Sequence, residues 1–308
     1  MEFEHISGLA EGKSDSTLDL TILVMRKLEA FLTESGLSTD AALVTADDMR
    51  NFIRHLQNAR AFTDHPYAKA QERSLSDQSV NCYMRALRAA WNRWVREGLV
   101  PSSPFSKAKV PRASEKVIPA FSPQQIKALL GAINTSRASG FRDHTMICCY
   151  LDTACRLSEL TGLRMEDLNL KERCLKVKGK GGRERIVPFG IKASKALWKY
   201  IKMYRPEPMM PHQDYVFLTK DGRRLTNNQM QAKMKKYGRK AKITGVRCSI
   251  HTLRHTACLM WIRNGGDVFN LQAVTGHRSL EVLKRYVNLA QSDVGAAHKK
   301  FSPLDNLG

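Results

Sequence analysis

Apolar residues recur at helical spacing along most of the chain. From Asp15 to Glu34, Leu20, Val24, Leu28, Phe31 and Leu32 share one face, which predicts an amphipathic helix. Thr45 then stands at an N-cap position. Asp47 and Asp48 follow in the first turn, where the helix dipole favours acidic side chains, and Met49, Ile53 and Leu56 continue the stripe. Residues 59–75 are polar, contain Pro66 and predict a loop. Ser76 opens a longer helix with Val80, Met84, Leu87, Trp91 and Trp94 inward, leaving Arg85, Arg88, Arg93 and Arg96 for its other faces. Residues 100–121 hold Pro101, Pro104, Pro111 and Pro119, a density that predicts an extended linker without helix.

Beyond that stretch, Ser122-Pro123-Gln124-Gln125 supplies an N-cap, a proline at the first helical position and a glutamine at the third, so a helix is predicted to about Ile133. A second helix is predicted over Asp143–Thr153. The period then changes to two. Residues 174–178 and 183–187 flank Gly179-Lys180-Gly181-Gly182, which predicts a hairpin with a glycine-rich, lysine-bearing turn. A helix over 192–204, a short strand over Tyr215–Leu218 and a very basic helix over Asn227–Lys240 follow, and 249–300 reads as mostly helical. The expected fold class is therefore mainly α, in two domains. A small helical domain spans 1–112, a linker 113–121, and a larger α+β domain with a small β-sheet 122–308.

Charge adds a partner to this outline. The chain carries 50 Lys+Arg against 29 Asp+Glu, a formal net of +21. Residues 1–112 hold 15 basic and 14 acidic side chains, whereas 113–308 hold 35 and 15. A field of that sign argues for a polyanion, with nucleic acid the leading candidate. The near-neutral first total hides a split, since residues 1–49 net −7 and 50–112 net +8. The longest apolar runs fall far short of the ~20 residues of a spanning helix, and the acidic start does not resemble a signal peptide. Seven cysteines without a Cys-x-x-Cys pair read as reduced thiols, which excludes a disulfide framework and a zinc ribbon. The expected location is cytoplasmic and nucleoid-associated, with no membrane partner.

Four places concentrate reactive or phosphate-binding groups: Arg156 with Glu159, Lys180 at the hairpin tip, His251 with Arg254, and His277 with Tyr286. Each has an ordinary reading. Arg156 and Glu159 fit a helical salt bridge, Lys180 a solvated turn, and Tyr286 a packing residue. His251 and His255 have a spacing able to hold zinc, but position 252 is Thr, so the metalloprotease pattern is missing. Together the residues make a metal-free set for phosphoryl transfer. Guanidinium forks clamp the charge that builds on a phosphodiester under attack. A tyrosine in a strongly positive site can attack, and a lysine can protonate the departing alkoxide. Clustered carboxylates for a two-metal centre are not evident.

This set resembles the tyrosine recombinases, the integrases of the phage, Cre and Xer kind. The residues that carry the resemblance are Thr153-Ala154-Cys155-Arg156-Leu157-Ser158-Glu159-Leu160, Gly179-Lys180-Gly181 with Arg185 to Pro188 behind it, His251-Thr252-Leu253-Arg254-His255, Gly276-His277, and Tyr286 nine residues further. It covers about residues 15–300. Ala154-Cys155 departs from the commoner Gly-Leu or Gly-Met before the first arginine.

The resemblance implies a SAM-like helical core-binding domain followed by a catalytic domain. It implies that Arg156 and Arg254 hold the scissile phosphate, Tyr286 attacks to give a 3′-phosphotyrosyl bond, and Lys180 protonates the leaving 5′-oxygen. His251 would serve as acid/base, His277 as a phosphate hydrogen-bond partner, and Glu159 as the residue orienting His251 or Arg156. No metal, ATP or other cofactor is expected. The expected partners are double-stranded DNA with inverted-repeat core sites and further copies of the chain, a tetramer in the synapse and a monomer in solution. Arg85, Arg88, Arg93 and Arg96 would face the duplex from one domain. Asn227, Gln231, Lys235 and Arg239 would enter the major groove from the other, the polar side chains reading bases and the cations holding phosphates. Two alternatives stay open: a type IB topoisomerase-like relaxing activity, and a DNA-binding regulator without catalysis.

Overall fold

The computed structural model describes residues 2–59, 74–110, 119–179, 182–277 and 279–290, together with His298, Ser302, Leu304 and Asp305. The chain divides into two compact units, Met1–Lys116 and Val117–Gly308.

The first unit is helical among its described residues: α1 (Glu2–Ala10), α2 (Asp15–Glu34), α3 (Ala46–Asn58) and α4 (Asp77–Arg96). The predicted stripes of α2, α3 and α4 meet in one core around Val24, Leu28, Phe52, Leu56, Met84 and Trp91. Thr45 starts α3 as expected. Its hydroxyl accepts from the Asp48 amide at 3.2 Å, and the Asp48 carboxylate accepts from the Thr45 amide at 2.8 Å, so two orphan donors are paired locally.

Two expectations fail in this unit. Arg93 is not on an outer face. It is 4% exposed and ion-paired at 2.8 Å with Glu4 of α1, itself 2% exposed, while Glu11 approaches to 3.5 Å. The sequence reading had no α1, so it left this face of α4 uncovered. The proline-rich stretch is also not all linker. Pro104–Ser106 forms a 3-10 turn capped by the Ser103 hydroxyl, and Val100, Pro104 and Ala108 are buried. A proline at the first position of such a turn gives up no bond, because its amide would be unpaired there anyway. Residues 60–73 of the predicted loop and residues 111–118 of the stretch lie outside the described residues.

The second unit carries α5 (Pro123–Gly131), α6 (Ala138–Thr153), α7 (Leu157–Thr161), α8 (Ile191–Met203), α9 (Asn227–Lys240), α10 (Ile250–Arg263), α11 (Val268–Thr275) and α12 (Glu281–Ala290). Between α7 and α8 lies an antiparallel sheet of β1 (Leu168–Asn169), β2 (Cys174–Lys178) and β3 (Glu184–Pro188), in that order. The predicted hairpin is β2–β3, with Leu175 opposite Val187 and Val177 opposite Arg185; β1 was not foreseen. α6 starts at Ala138, ahead of the predicted Asp143. Its first turn holds Gly140, where a Cβ would lie 1.9 Å from the Asn134 carbonyl, so close packing requires a glycine there. Tyr215–Leu218 is not a strand and makes only isolated bridges, from Tyr215 to Arg164 and from Leu218 to Arg224. Its Val216, Phe217 and Leu218 are buried, which is why the run has strand character without a ladder.

α10 organises the larger unit. From Ile250 to Leu259 every side chain except that of His251 is buried, so α6, α11 and α12 pack around it. No helix among the described residues is long and apolar enough to cross a membrane.

Candidate active site

The C-terminal end of α11 gathers three arginines of this unit, Arg156, Arg185 and Arg254. Ala154 ends α6 in the left-handed conformation, φ 48°, and its carbonyl accepts from Arg254 Nη1 of α10 at 2.6 Å. Arg156 then caps the start of α7. Its backbone N–H donates to Glu159 Oε2 at 2.7 Å and its Nη1 to Glu159 Oε1 at 2.8 Å. Arg185 reaches the same carboxylate from β3, donating Nη1 to Oε1 and Nη2 to Oε2, both at 2.8 Å. One carboxylate therefore fixes two guanidiniums. Burial opposes its ionisation, but the hydrogen bonds from Arg185 and from the Arg156 backbone outweigh this and hold the Glu159 pKa at about 2.

Three consecutive carbonyls complete the arrangement. Arg185 Nε donates to Val274 O at 2.8 Å, Arg254 Nη2 to Thr275 O at 2.9 Å, and Arg156 Nη2 to Gly276 O at 2.9 Å. The last carbonyls of a helix lack partners within it and carry the negative end of its dipole, so cations are favoured there. Gly276 ends the helix at φ 66°, and a Cβ on it would lie 3.1 Å from the Arg185 guanidinium, so a glycine fits where a side chain would crowd the site.

His277 follows directly. Its Nε2 lies 3.2 Å from Arg254 Nη2 and its Nδ1 2.6 Å from Thr275 Oγ1. A guanidinium only donates, so this network assigns Nε2 as acceptor and places the proton on Nδ1. Arg254 is 6% exposed and, among the described residues, has no carboxylate among its hydrogen-bond partners. Burial, with Arg156 nearby, lowers its pKa from the ordinary value.

The structure thus brings Arg156, Glu159, Arg254 and His277 together. Glu159 partners Arg156, one of its two expected targets, and also Arg185. Arg185 stood in the quoted motif without a role. The signal for it was local, since strand alternation puts it on the inward side with Val187, where a charge requires a partner. His251 is exposed on α10, the helix that carries Arg254, and His255 is buried. Tyr286 on α12 is 3% exposed and packs with Ala154, Cys258 and Leu271, its ring 5.1 Å from that of His255. Lys180 lies outside the described residues. Among the described residues no three His, Cys, Asp or Glu side chains are grouped to hold a metal.

The side chains expected to face DNA divide. Arg85 and Arg88 are exposed on α4, Arg96 is exposed but pairs with Glu11 and Glu97, and Arg93 is buried. On α9, Lys235 and Arg239 are exposed. Asn227 is exposed, but its Oδ1 accepts from Thr161 Oγ1 at 2.6 Å, and the half-buried Gln231 accepts from the Ile250 amide at 3.4 Å. Both polar side chains therefore serve internal bonds, and the clearest outward groups of this helix are its cations. Two further cations of α9 are engaged internally, Lys233 by Asp143 and Lys240 by the Ala132 carbonyl, each at 2.7 Å.

Comparison with known proteins agrees with this geometry. Residues 120–293 match the phage integrase family, and residues 3–110 match the phage integrase SAM-like domain. The chain is 28% identical over 290 residues to the tyrosine recombinase XerD of Listeria monocytogenes, covering 90% of this chain and 97% of that one. It is 29% identical to the tyrosine recombinase XerC of Oceanobacillus iheyensis, covering 90% and 86%. In fold it is similar to the Tn1549 transposon integrase in complex with transposon right end DNA, with TM-score 0.72, 18% identity and coverage of 92% and 93%. It is also similar to the XerH site-specific recombinase bound to a palindromic difH substrate, with TM-score 0.72, 17% identity and coverage of 91% and 79%. Matched in its helical unit and in the unit that gathers the arginines, the chain belongs to the phage integrase family, the tyrosine recombinases.

Proposed function

We propose that this chain is a site-specific DNA recombinase that cuts and rejoins duplex DNA through a 3′-phosphotyrosyl intermediate on Tyr286, without metal or ATP. The observation that carries the reading is Arg254. Among the described residues it is a nearly buried guanidinium held by carbonyls and an imidazole rather than by a carboxylate, beside an Arg156 that is held by the Gly276 carbonyl and shares the Glu159 carboxylate with Arg185. Such a pair keeps net positive charge in a low-dielectric site, which suits the oxyanions of a phosphodiester under attack. Arg156 and Arg254 clamp the non-bridging oxygens. The Tyr286 oxygen forms the new bond to phosphorus as its proton passes toward His251. The bond from phosphorus to the 5′-oxygen breaks, and Lys180 supplies the proton to that oxygen. His277 contributes a hydrogen bond at the phosphate. A 5′-hydroxyl from a partner duplex then reverses the step, and the covalent link conserves the phosphodiester energy.

DNA is held by exposed cations in each unit, Arg85 and Arg88 in the first and Lys235 and Arg239 in the second, with binding that weakens steeply with salt. The XerD- and XerC-named relatives, which span about nine-tenths of the chain, favour a Xer-type role; inverted-repeat sites and a tetramer complete the reading as its target and working assembly. A suicide half-site substrate tests the chemistry. The wild type should trap a covalent adduct, in EDTA as in its absence. Tyr286→Phe should bind the same DNA and trap none, and an adduct from that variant would remove Tyr286 as nucleophile.

A further inference from the structure

The cluster holds one cation that the chemistry above does not use. Arg185 is 15% exposed in its side chain and donates three hydrogen bonds to fixed acceptors, one to the Val274 carbonyl and two to the Glu159 carboxylate. Those two carboxylate oxygens also hold the backbone and the guanidinium of Arg156. The chain of contacts therefore runs from the end of α11, through Arg185 on β3, through Glu159 on α7, to Arg156. Arg156 returns to α11 at Gly276, two residues beyond the carbonyl that Arg185 occupies. The loop is closed, and every link in it is charge-assisted or made to an unpaired helix carbonyl.

We infer that Arg185 is a positioning residue for DNA cleavage, setting the orientation of Arg156 through Glu159 while α11 anchors both. The inference rests on the functional reading given above, since it assumes that Arg156 meets the scissile phosphate.

The geometry says what each link does. Without Arg185, Glu159 would be held only by Arg156 itself, through its backbone amide and Nη1, so α7 alone would set the plane of the carboxylate. Arg185 contacts both oxygens from another element, so that plane is tied to the β3–α11 junction. A misplacement of a clamping group by about 1 Å can cost a catalyst on the order of 100-fold. Arg185 stands off the phosphate in this scheme, so its removal slows the step and leaves duplex binding, which belongs to the exposed cations, in place. Lysine cannot substitute. It keeps the charge, but one ammonium does not reproduce a rigid fork that spans two carboxylate oxygens and a carbonyl.

The test compares single-turnover adduct formation with DNA affinity in the full-length protein, for Arg185→Gln, Arg185→Lys, Glu159→Gln and the double variant Glu159→Gln/Arg185→Gln. Both Arg185 variants should trap adduct roughly 10- to 100-fold more slowly, the range typical of partners that orient a ligand, with half-saturating DNA concentration unchanged. The double variant should be no slower than the slower single variant, because both changes break one chain of contacts. Arg185→Lys carries the test alone if circular dichroism shows Arg185→Gln unfolded. The inference is overturned if Arg185→Lys cleaves as the wild type does, if slowing tracks weaker DNA binding, or if the two single effects multiply in the double variant. A wild type that traps no adduct would instead defeat the functional reading, so the two failures are distinguishable.

Discussion

The helical unit buries Arg93 and the larger unit buries Arg142 and Arg254; Arg142 is paired with the Asp143 carboxylate as Arg93 is with Glu4, whereas Arg254 is balanced in the opposite way. In the helical unit Arg93 meets the carboxylate of Glu4 at 2.8 Å and a second carboxylate, Glu11, at 3.5 Å. In the other unit Arg254 meets the carbonyls of Ala154 and Thr275 and the imidazole of His277. A buried guanidinium that has a carboxylate to itself is closed to other anions. One matched by neutral dipoles keeps its charge and has donors left for a phosphate. The buried carboxylates repeat the contrast. Glu4 meets desolvation first, and the coulombic pull of Arg93 does not overcome it, so its pKa is raised. Glu159 accepts from two guanidiniums and a backbone amide, and its pKa falls to about 2. Burial is similar in the two cases, so the number of donors decides the sign.

The largest expected effect probes the closed pair. Arg93→Ala should destabilise the protein by about 3–5 kcal/mol, because it leaves Glu4 buried without its cation. Replacing both partners with apolar side chains, Glu4→Leu with Arg93→Met, should restore most of that loss in urea unfolding. Cleavage per folded molecule should stay at the wild-type rate in both variants. If Arg93→Ala instead weakens DNA binding at unchanged stability, Arg93 is a DNA contact and the contrast between the units disappears.

Arg254→Ala probes the open one. Adduct formation should fall roughly 10²- to 10³-fold, the usual cost of losing a pre-organised donor to a developing oxyanion. Stability should change less than in Arg93→Ala, since among the described residues no carboxylate hydrogen-bonds Arg254 and none is left without its cation. A variant that lost stability as Arg93→Ala does, while cleaving normally, would show Arg254 to be structural.

What could be read in the sequence follows the range of the interactions. Thr45, Ser122 and Thr226 cap helices through bonds to residues three positions away, and the helix starts at Ala46 and Pro123 were visible for that reason. The family motifs likewise named Arg156, Glu159, Arg254 and His277, which the fold brings to one place. Arg93 could not be read, because its partner Glu4 lies 89 positions earlier in a helix too weakly patterned to foresee. Arg185 was in view as a residue but not as a contact, because its acceptors come from α7 and α11. The start of α6 around Gly140 and the Val216–Leu218 run escaped the sequence for a shared reason. Each obeys tertiary packing, which the local pattern of residues does not encode.

The two carboxylates can be separated by pH. Glu159 has a folded pKa of about 2, below its ordinary 4.5, so its stabilisation is present above pH 4.5 and lost as pH falls toward 2. That shift corresponds to about 3 kcal/mol at neutrality. Glu4 is shifted the other way, so its contribution is complete below pH 4.5 and lost as pH rises through its folded pKa. In urea unfolding from pH 6 to pH 3, Glu159→Gln should remove part of the acid loss seen in the wild type, whereas Glu4→Gln should steepen that loss. Parallel curves for the two variants would mean that both carboxylates share one environment.

The smallest effect concerns Ala154, which occupies the left-handed position whose carbonyl holds Arg254. An alanine there carries strain of roughly 1–2 kcal/mol. Glycine would relieve it, but would lose a buried methyl and add freedom to the unfolded chain, each worth about 0.5–1 kcal/mol. The terms nearly cancel, so Ala154→Gly should alter stability by less than about 1 kcal/mol and leave adduct formation unchanged. Ala154→Val keeps the same carbonyl but forces a β-branched side chain into a backbone conformation it rarely adopts. It should therefore lose both stability and cleavage. If glycine and valine behaved alike at this position, the open arginine would not depend on where the Ala154 carbonyl points, and Thr275 and His277 alone would have to hold it.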